Sequence, residues 1–262
     1  MNGAGTIDGD LSAVRRHTAL LIEHASALTD VRASTLCEGW SRAHVLAHVA
    51  RNAEAIQRLA QWAVDGQPRP MYPGGTRGRD ADIEEGAARP GPASPDDPRP
   101  AGAFVDDLAA TAAALAPHLA ALDGPLAVDQ VEMRGGLMVP SVSLPRLRLR
   151  EVVFHHVDLA DGFSFADVEP DLLRVFVEDA AARLSATEVD QGIRLVSDEG
   201  DEWVVGDGAL VVHGALPALL LWLARRDARG VTAEGELPDL PRGALASGER
   251  PDRFNRLGRW PR

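Results

Sequence analysis

The chain has 262 residues, of which 45% are hydrophobic and 25% are charged, and this composition excludes a wholly disordered or fibrous protein. Its 27 basic and 39 acidic residues give a net charge of −12, which argues against binding to nucleic acid or to an anionic membrane. Cys37 is the single cysteine, so an intrachain disulfide and a multi-cysteine metal site are both excluded.

The first part of the chain carries the pattern of four helices. Apolar residues recur at helical intervals from about Asp10 to Thr29. A second helix is predicted after Ser41, which is a suitable N-cap, and it stops near Gly66. A third covers roughly residues 101–122, and a fourth has the sequence LPRLRLREVVFHHVDLADG. Four consecutive helices predict a bundle.

Two connections within this part differ in character. Residues 66–100 are crowded with Pro, Gly, Asp and Arg, lack apolar periodicity, and predict a long mobile loop. Residues 126–139 have an alternating pattern and contain Gly135 and Gly136, which allows a hairpin before the fourth helix.

The remaining residues predict a smaller domain of mixed type. A helix over about residues 171–185 precedes three β-branched runs, GIRLVSD, EWVVGD and ALVVHG. Asp207 and Gly208, between the second and third runs, predict a hairpin. The helix LPALLLWLARRDA and a possible edge strand, VTAEGEL, follow, and a tail rich in Pro, Gly and Arg begins after Leu240. We therefore expect an α+β protein, with a four-helix bundle in residues 1–165 and a small α/β domain in residues 166–262.

One inward stripe of the second helix contains a histidine. Because an α-helix turns about 100° per residue, six residues of this helix share one face: Val45, His48, Val49, Asn52, Ile56 and Leu59. His48 therefore lies in an apolar row. Taken alone, it is compatible with a core histidine bonded to a backbone carbonyl group.

The fourth helix is apolar on nearly all sides, which predicts burial. Arg148, Glu151, His155 and Asp158 nevertheless share one narrow stripe, and Glu151 and His155 are one helical turn apart. Buried charges require a partner, so two interpretations stay open. One is an internal salt-bridge ladder along the stripe, and the other is a metal site.

The two helices together favour the metal site. Adjacent helices of a bundle can bring His48 against Glu151 and His155, and two imidazoles with one carboxylate form a ligand set suited to Zn²⁺. Three protein ligands leave one coordination position open, as in catalytic zinc sites. Asp158 or Arg148 could then orient the ligands.

Two segments carry a family resemblance. GWSRAHVLAHVARN and REVVFHHVDLADG resemble the two signatures of the DinB-like, mycothiol-dependent proteins, and in particular the mycothiol-dependent maleylpyruvate isomerase family. The resemblance implies a DinB-like four-helix bundle that holds zinc or another divalent metal through His48, Glu151 and His155. It also implies mycothiol, the low-molecular-weight thiol of actinobacteria, as co-substrate.

The resemblance also suggests one catalytic residue in the C-terminal domain. In this family an arginine of that domain is thought to face the acid groups of the substrate, and Arg226 matches its position best, with Arg225 beside it. The alternative is that both arginines are solvated caps at the C-terminus of a helix.

The functional expectation follows from the metal site and the resemblance. We expect a metal-dependent enzyme that activates mycothiol, either for cis–trans isomerisation of a maleylpyruvate-like acid or for thiol transfer to an electrophile. The alternative is a non-catalytic regulator that senses zinc or a thiol. The partners expected for the enzyme are a small thiol and an electrophilic substrate. We expect a cytoplasmic protein, because there is no signal sequence at the N-terminus and the run ALPALLLWLA is too short to cross a bilayer.

Overall fold

A computed structural model describes residues 6–94, 96–186 and 191–240. The chain forms two compact units, one ending at Gly162 and the other beginning at Phe163. Helices and small sheets together confirm the predicted α+β class. The division into domains of residues 1–165 and 166–262 stays a prediction, and the tail predicted after Leu240 lies outside the described residues. In the part of the chain that is described, no helix has the length and hydropathy needed to cross a membrane.

The N-terminal unit is built on four long helices, which confirms the predicted bundle. Its described helices are α1 (Ile7–Ala27), α2 (Arg42–Asp65), α3 (Gly75–Ala87), α4 (Gly102–Ala120) and α5 (Leu144–Asp158). Helix α2 packs against both α4 and α5, and α1 packs against the same two helices. Twelve of the fifteen residues of α5 are buried, as the sequence predicted for this helix.

Local chemistry sets the ends of these helices. Thr6 caps α1, because its hydroxyl accepts a hydrogen bond of 3.1 Å from the backbone N–H of Gly9. Helix α2 begins after Ser41, whose backbone N–H donates to Nδ1 of His44, and it ends at Gly66. Gly66 adopts a left-handed conformation with φ of 74°, which glycine reaches without steric cost. Pro145 starts α5, where its missing N–H is not needed.

The prediction of a long loop over residues 66–100 is wrong for residues 75–87, which form α3. The face that α3 buries consists of Arg79, Ile83, Gly86 and Ala87. Because Ile83 is the single large apolar residue of that face, the apolar periodicity is too weak to predict a helix. Gly86 allows close packing against α2, since a Cβ there would lie 2.9 Å from the Cβ of Ala47.

A two-stranded hairpin joins α4 to α5, as the alternating pattern allowed. Strand β1 (Gln130–Met133) pairs in antiparallel fashion with β2 (Leu137–Pro140). Val131 lies opposite Val139, and both are buried against the unit. The turn contains Gly135 and Gly136, whose φ angles of 83° and 79° are left-handed.

The C-terminal unit packs two helices and a four-stranded sheet. Its described elements are α6 (Pro170–Ser185), α7 (Leu216–Arg225), β3 (Ile193–Ser197), β4 (Glu202–Val205), β5 (Leu210–Gly214) and β6 (Val231–Ala233). The strand order is β4–β3–β5–β6, so β6 is the edge strand that the sequence predicted. Helix α6 packs against α7, and α7 contacts β3, β5 and β6.

The hairpin predicted between β4 and β5 is wrong, because β3 lies between these two strands. Strand β3 pairs with β4 in antiparallel fashion and with β5 in parallel. Asp207 and Gly208 carry the chain past the start of β3, close to Gly192. A Cβ on Gly192 would lie 2.5 Å from the backbone nitrogen of Asp207, so the close approach requires glycine.

Candidate metal centre

Helices α2 and α5 bring the three predicted metal ligands together. His48 lies on the buried face of α2, and Glu151 and His155 are one turn apart on α5. Nε2 of His48 is 3.0 Å from Oε2 of Glu151, and Nε2 of His155 is 3.6 Å from the same oxygen. The two imidazole rings meet edge to face, with centroids 4.5 Å apart. All three residues are buried, so these polar groups are withdrawn from water.

The donor set of this cluster fits a divalent cation. The ligand atoms of His48, Glu151 and His155 all lie within 4.8 Å of one another. Two atoms bound to one tetrahedral Zn²⁺, at about 2.0–2.1 Å each, are about 3.3 Å apart, which lies between the two distances above. Two imidazole nitrogens and one carboxylate oxygen are donors that Zn²⁺ accepts, and three of them leave a fourth position for another ligand.

The protonation states of His48 and Glu151 also suit a cation. Burial lowers the pKa of His48 to about 3, so this imidazole is neutral at pH 7. Burial acts to raise the pKa of Glu151, but hydrogen bonds with His155 and His48 more than offset it and lower that pKa well below its usual value. Metal binding requires neutral imidazoles and an ionised carboxylate, and His48 and Glu151 meet this requirement without a proton being displaced.

Asp158 fixes the orientation of His155. Its Oδ2 is 2.8 Å from Nδ1 of His155 and accepts a hydrogen bond from Sγ of Cys37 at 3.2 Å. Although burial acts to lower the pKa of His155, hydrogen bonds with Asp158, Cys37 and Glu151 raise it well above its usual value. The Asp158 contact engages Nδ1 and directs Nε2 toward Glu151, which is the arrangement commonly found behind metal-binding histidines.

Arg148 does not extend this group of contacts into a continuous ladder. Its NH1 donates to the carbonyl oxygen of Val49 and to Oδ1 of Asn52, both at 2.8 Å. Of the two supporting residues predicted from the sequence, Asp158 therefore contacts a ligand, and Arg148 instead ties α5 to the backbone of α2.

We predict that Asp158→Asn weakens Zn²⁺ binding by about 10–100-fold, because the carboxylate that orients His155 is lost. Competition with a chromophoric chelator measures the affinity. Asp123→Asn is the control, since Asp123 is exposed after α4 and far in sequence from the cluster. An Asp158→Asn variant with the affinity of the unmodified protein would show that Asp158 does not orient a ligand.

Comparisons with known proteins identify the family of the chain. The sequence model described as the mycothiol maleylpyruvate isomerase N-terminal domain matches residues 12–160. The chain belongs to this family. Its fold is similar to the crystal structure of the mycothiol-dependent maleylpyruvate isomerase, with a TM-score of 0.77 and 26% sequence identity, and the match covers 90% of this chain and 96% of that one. A crystal structure of a histidine-to-alanine mutant of the mycothiol-dependent maleylpyruvate isomerase matches with the same values. No curated protein sequence matches the chain significantly.

Arg226, the catalytic residue suggested by the mycothiol maleylpyruvate isomerase family, lies in the C-terminal unit. It follows α7 in a left-handed conformation, with φ of 63°, and its backbone N–H donates to the carbonyl oxygen of Trp222. Its guanidinium donates to the carbonyl oxygens of Leu223 and Leu240. These bonds close the C-terminus of α7, and the catalytic role of Arg226 stays a prediction.

Two residues beside the cluster were not predicted from the sequence. Arg79, on α3, is only 3% exposed, and its NH2 lies 3.4 Å from Nδ1 of His48. Its guanidinium also lies over the rings of Trp40 and Tyr72, at 5.8 and 6.0 Å from the centroids. Tyr72 is buried, and burial, together with the charge of Glu151, raises its pKa. The only signal for them was the arginine-rich, proline-rich composition of residues 66–100, which predicted a loop.

Proposed function

We propose that this protein is a divalent-metal-dependent enzyme that uses mycothiol to convert a maleylpyruvate-like acid from its cis to its trans isomer. The observation that carries the proposal is the buried cluster of His48, Glu151 and His155. It is supported by family membership and by the similarity to a mycothiol-dependent maleylpyruvate isomerase over 90% of the chain.

The chemistry requires an activated thiol. A divalent cation such as Zn²⁺ would, when bound, favour the thiolate form of a thiol near neutral pH. Addition of a thiolate to the double bond of a cis-enedioic acid leaves a single bond about which the molecule rotates. Loss of the thiolate then restores the double bond in the trans form.

The residues of the chain have separate tasks in this proposal. His48, Glu151 and His155 hold the cation and leave its fourth position for the thiol. Asp158 holds the ring of His155 in place, and the burial of all four groups keeps water from competing. On the pattern of the family, Arg226 would balance the acid groups of the substrate.

The test is a reaction of the full chain, loaded with zinc, with mycothiol and maleylpyruvate. We expect formation of the trans isomer to require both the metal and the thiol, and to be lost in His48→Ala. His118→Ala is the control, because His118 lies on α4 and its Nε2 faces Gln61 rather than the cluster.

The other outcomes would each contradict part of the proposal. Thiol consumption by a panel of electrophiles, without isomerisation, would instead indicate an S-transferase. Metal binding without turnover of any substrate would indicate a zinc- or thiol-sensing regulator.

A further inference from the structure

A cavity of about 400 Å³ lies in the N-terminal unit, beside the residues that precede α3. Tyr72 forms one side, and Arg134, at the turn of the β1–β2 hairpin, forms another. Trp62 and Met71 contribute apolar surface. The cavity is large enough for a small organic acid, and its polar groups decide what it can bind.

Arg134 brings to this cavity a cation with unused donor capacity. Its NH1 is buried and has no hydrogen-bond partner among the residues the structure describes. Burial, together with the charge of Arg79, lowers the pKa of Arg134, although an arginine stays protonated. A buried guanidinium nitrogen without a partner costs free energy, which an anionic ligand would recover once the side chain turned that nitrogen toward the cavity.

Tyr72 connects the cavity with the metal cluster. The guanidinium of Arg79 lies 6.0 Å from the ring centroid of Tyr72, and its NH2 lies 3.4 Å from Nδ1 of His48. The charges of both Arg79 and Glu151 act on Arg134 and on Tyr72, which places these groups in one electrostatic neighbourhood. A ligand in the cavity therefore lies close to the cluster that the proposed function uses.

Among the described residues, no carboxylate forms an ion pair with Arg134, and Glu132, which also lines the cavity, is exposed. Glu151 is committed to His48 and His155, and the half-exposed Asp80 pairs with Arg79 at 2.7 Å. Arg69, also at the cavity, is paired with Asp65 at 2.7 Å. A carboxylate matches the planar fork of a guanidinium, so the unpaired Arg134 favours an organic acid.

We propose that Arg134 binds a carboxylate of a small dicarboxylic acid in this cavity, and that Arg79 adds to the positive potential there. The inference rests on the proposed function only for the identity of that acid as the electrophilic substrate. The site itself consists of the cavity, the unpartnered guanidinium nitrogen and the neighbouring cluster.

The test uses maleate as the probe and isothermal titration of the full chain with zinc present. We expect the unmodified protein to bind maleate and Arg134→Gln to bind it about 10–100-fold more weakly, because a charge-assisted contact is lost. Arg134→Lys keeps the charge without the fork and should fall between them. Arg99→Gln is the matched control, because Arg99 pairs with Asp97 and Asp106 and does not line the cavity, and its affinity should change less than about twofold. Dimethyl maleate, which has no charge, should not bind.

Three results would overturn the proposal: no maleate binding by the unmodified protein, equal binding by Arg134→Gln, or an equal loss in Arg99→Gln. The melting temperature and the zinc content of Arg134→Gln show whether the variant is folded. Binding of maleate that depends on Arg134, in a protein without thiol-dependent turnover, would support this site and refute the proposed function. Turnover with an unchanged KM in Arg134→Gln would support the proposed function and refute this site.

Discussion

Glu151→Ala is expected to abolish tight metal binding and, with it, any thiol-dependent turnover. Glu151 supplies the only carboxylate of the predicted ligand set, and its Oε2 faces Nε2 of both His48 and His155. Removing it leaves two imidazole donors and no negatively charged ligand to balance a divalent cation. Loss of a supporting group typically weakens metal binding 10–100-fold, so loss of a direct ligand should exceed about 100-fold.

The measurement is the metal content of the purified variant after dialysis against a weak chelator, together with a competition titration. Glu54→Ala is the matched control, because Glu54 is a carboxylate of α2 that pairs with Arg51 and Arg58 outside the cluster. It should retain the metal content of the unmodified protein. If Glu151→Ala keeps a full complement of tightly bound metal, the ligand set is wrong.

Asn52→Ala is expected to cost about 1.5–3 kcal/mol of unfolding free energy. Oδ1 of Asn52 accepts a hydrogen bond from Arg148, whose guanidinium is fully buried and makes no ion pair with a carboxylate among the described residues. Burial lowers the pKa of Arg148 to about 10, so the residue is still charged at pH 7. The variant removes one acceptor from this buried charge. The carbonyl oxygen of Val49 remains as an acceptor.

A double-mutant cycle with Arg148→Met separates this cause from simple loss of packing. Once the charge is absent, removing Asn52 should cost less, so the double variant should lose less stability than the sum of the two single variants. Urea denaturation gives the unfolding free energies. Gln57→Ala, at a half-buried position of the same helix, should change stability by less than about 0.5 kcal/mol. Strict additivity of the two losses would contradict the account.

The three candidate ligands could be predicted from the sequence, because helical geometry alone determines the helix face on which each residue lies. His48 falls in an apolar row of α2, and Glu151 and His155 are one turn apart on α5. These relations depend only on residue spacing within a helix, which is the most regular feature of a chain. The bundle then required only that α2 and α5 be neighbours, which the structure confirms.

The surroundings of the cluster depend on contacts that no local pattern reports. Helix α3 buries Arg79 and Gly86 in place of large apolar residues, so its sequence lacks the usual periodicity. Tyr72 and Arg134 reach the same region from a proline-rich segment and from a hairpin turn. Their convergence is set by tertiary packing, and for that reason the cavity could not be predicted.

The sheet of the C-terminal unit shows a similar limit. Asp207 and Gly208 correctly predicted a change of chain direction, because both residues favour turns. The same residues form a connection that passes the start of β3, so they do not indicate that β4 and β5 each pair with β3. The parallel pairing of β3 with β5 joins residues that are not neighbours in sequence, and α7 packs against both strands.

The most direct test of the central claim is an anomalous difference map from crystals of the full chain grown with zinc, measured at the zinc absorption edge. We expect a single strong peak at about 2.0–2.2 Å from Nε2 of His48, Oε2 of Glu151 and Nε2 of His155. A fourth position open to solvent or to added thiol should remain. A map without a peak between α2 and α5, or with zinc held by other residues, would contradict the account.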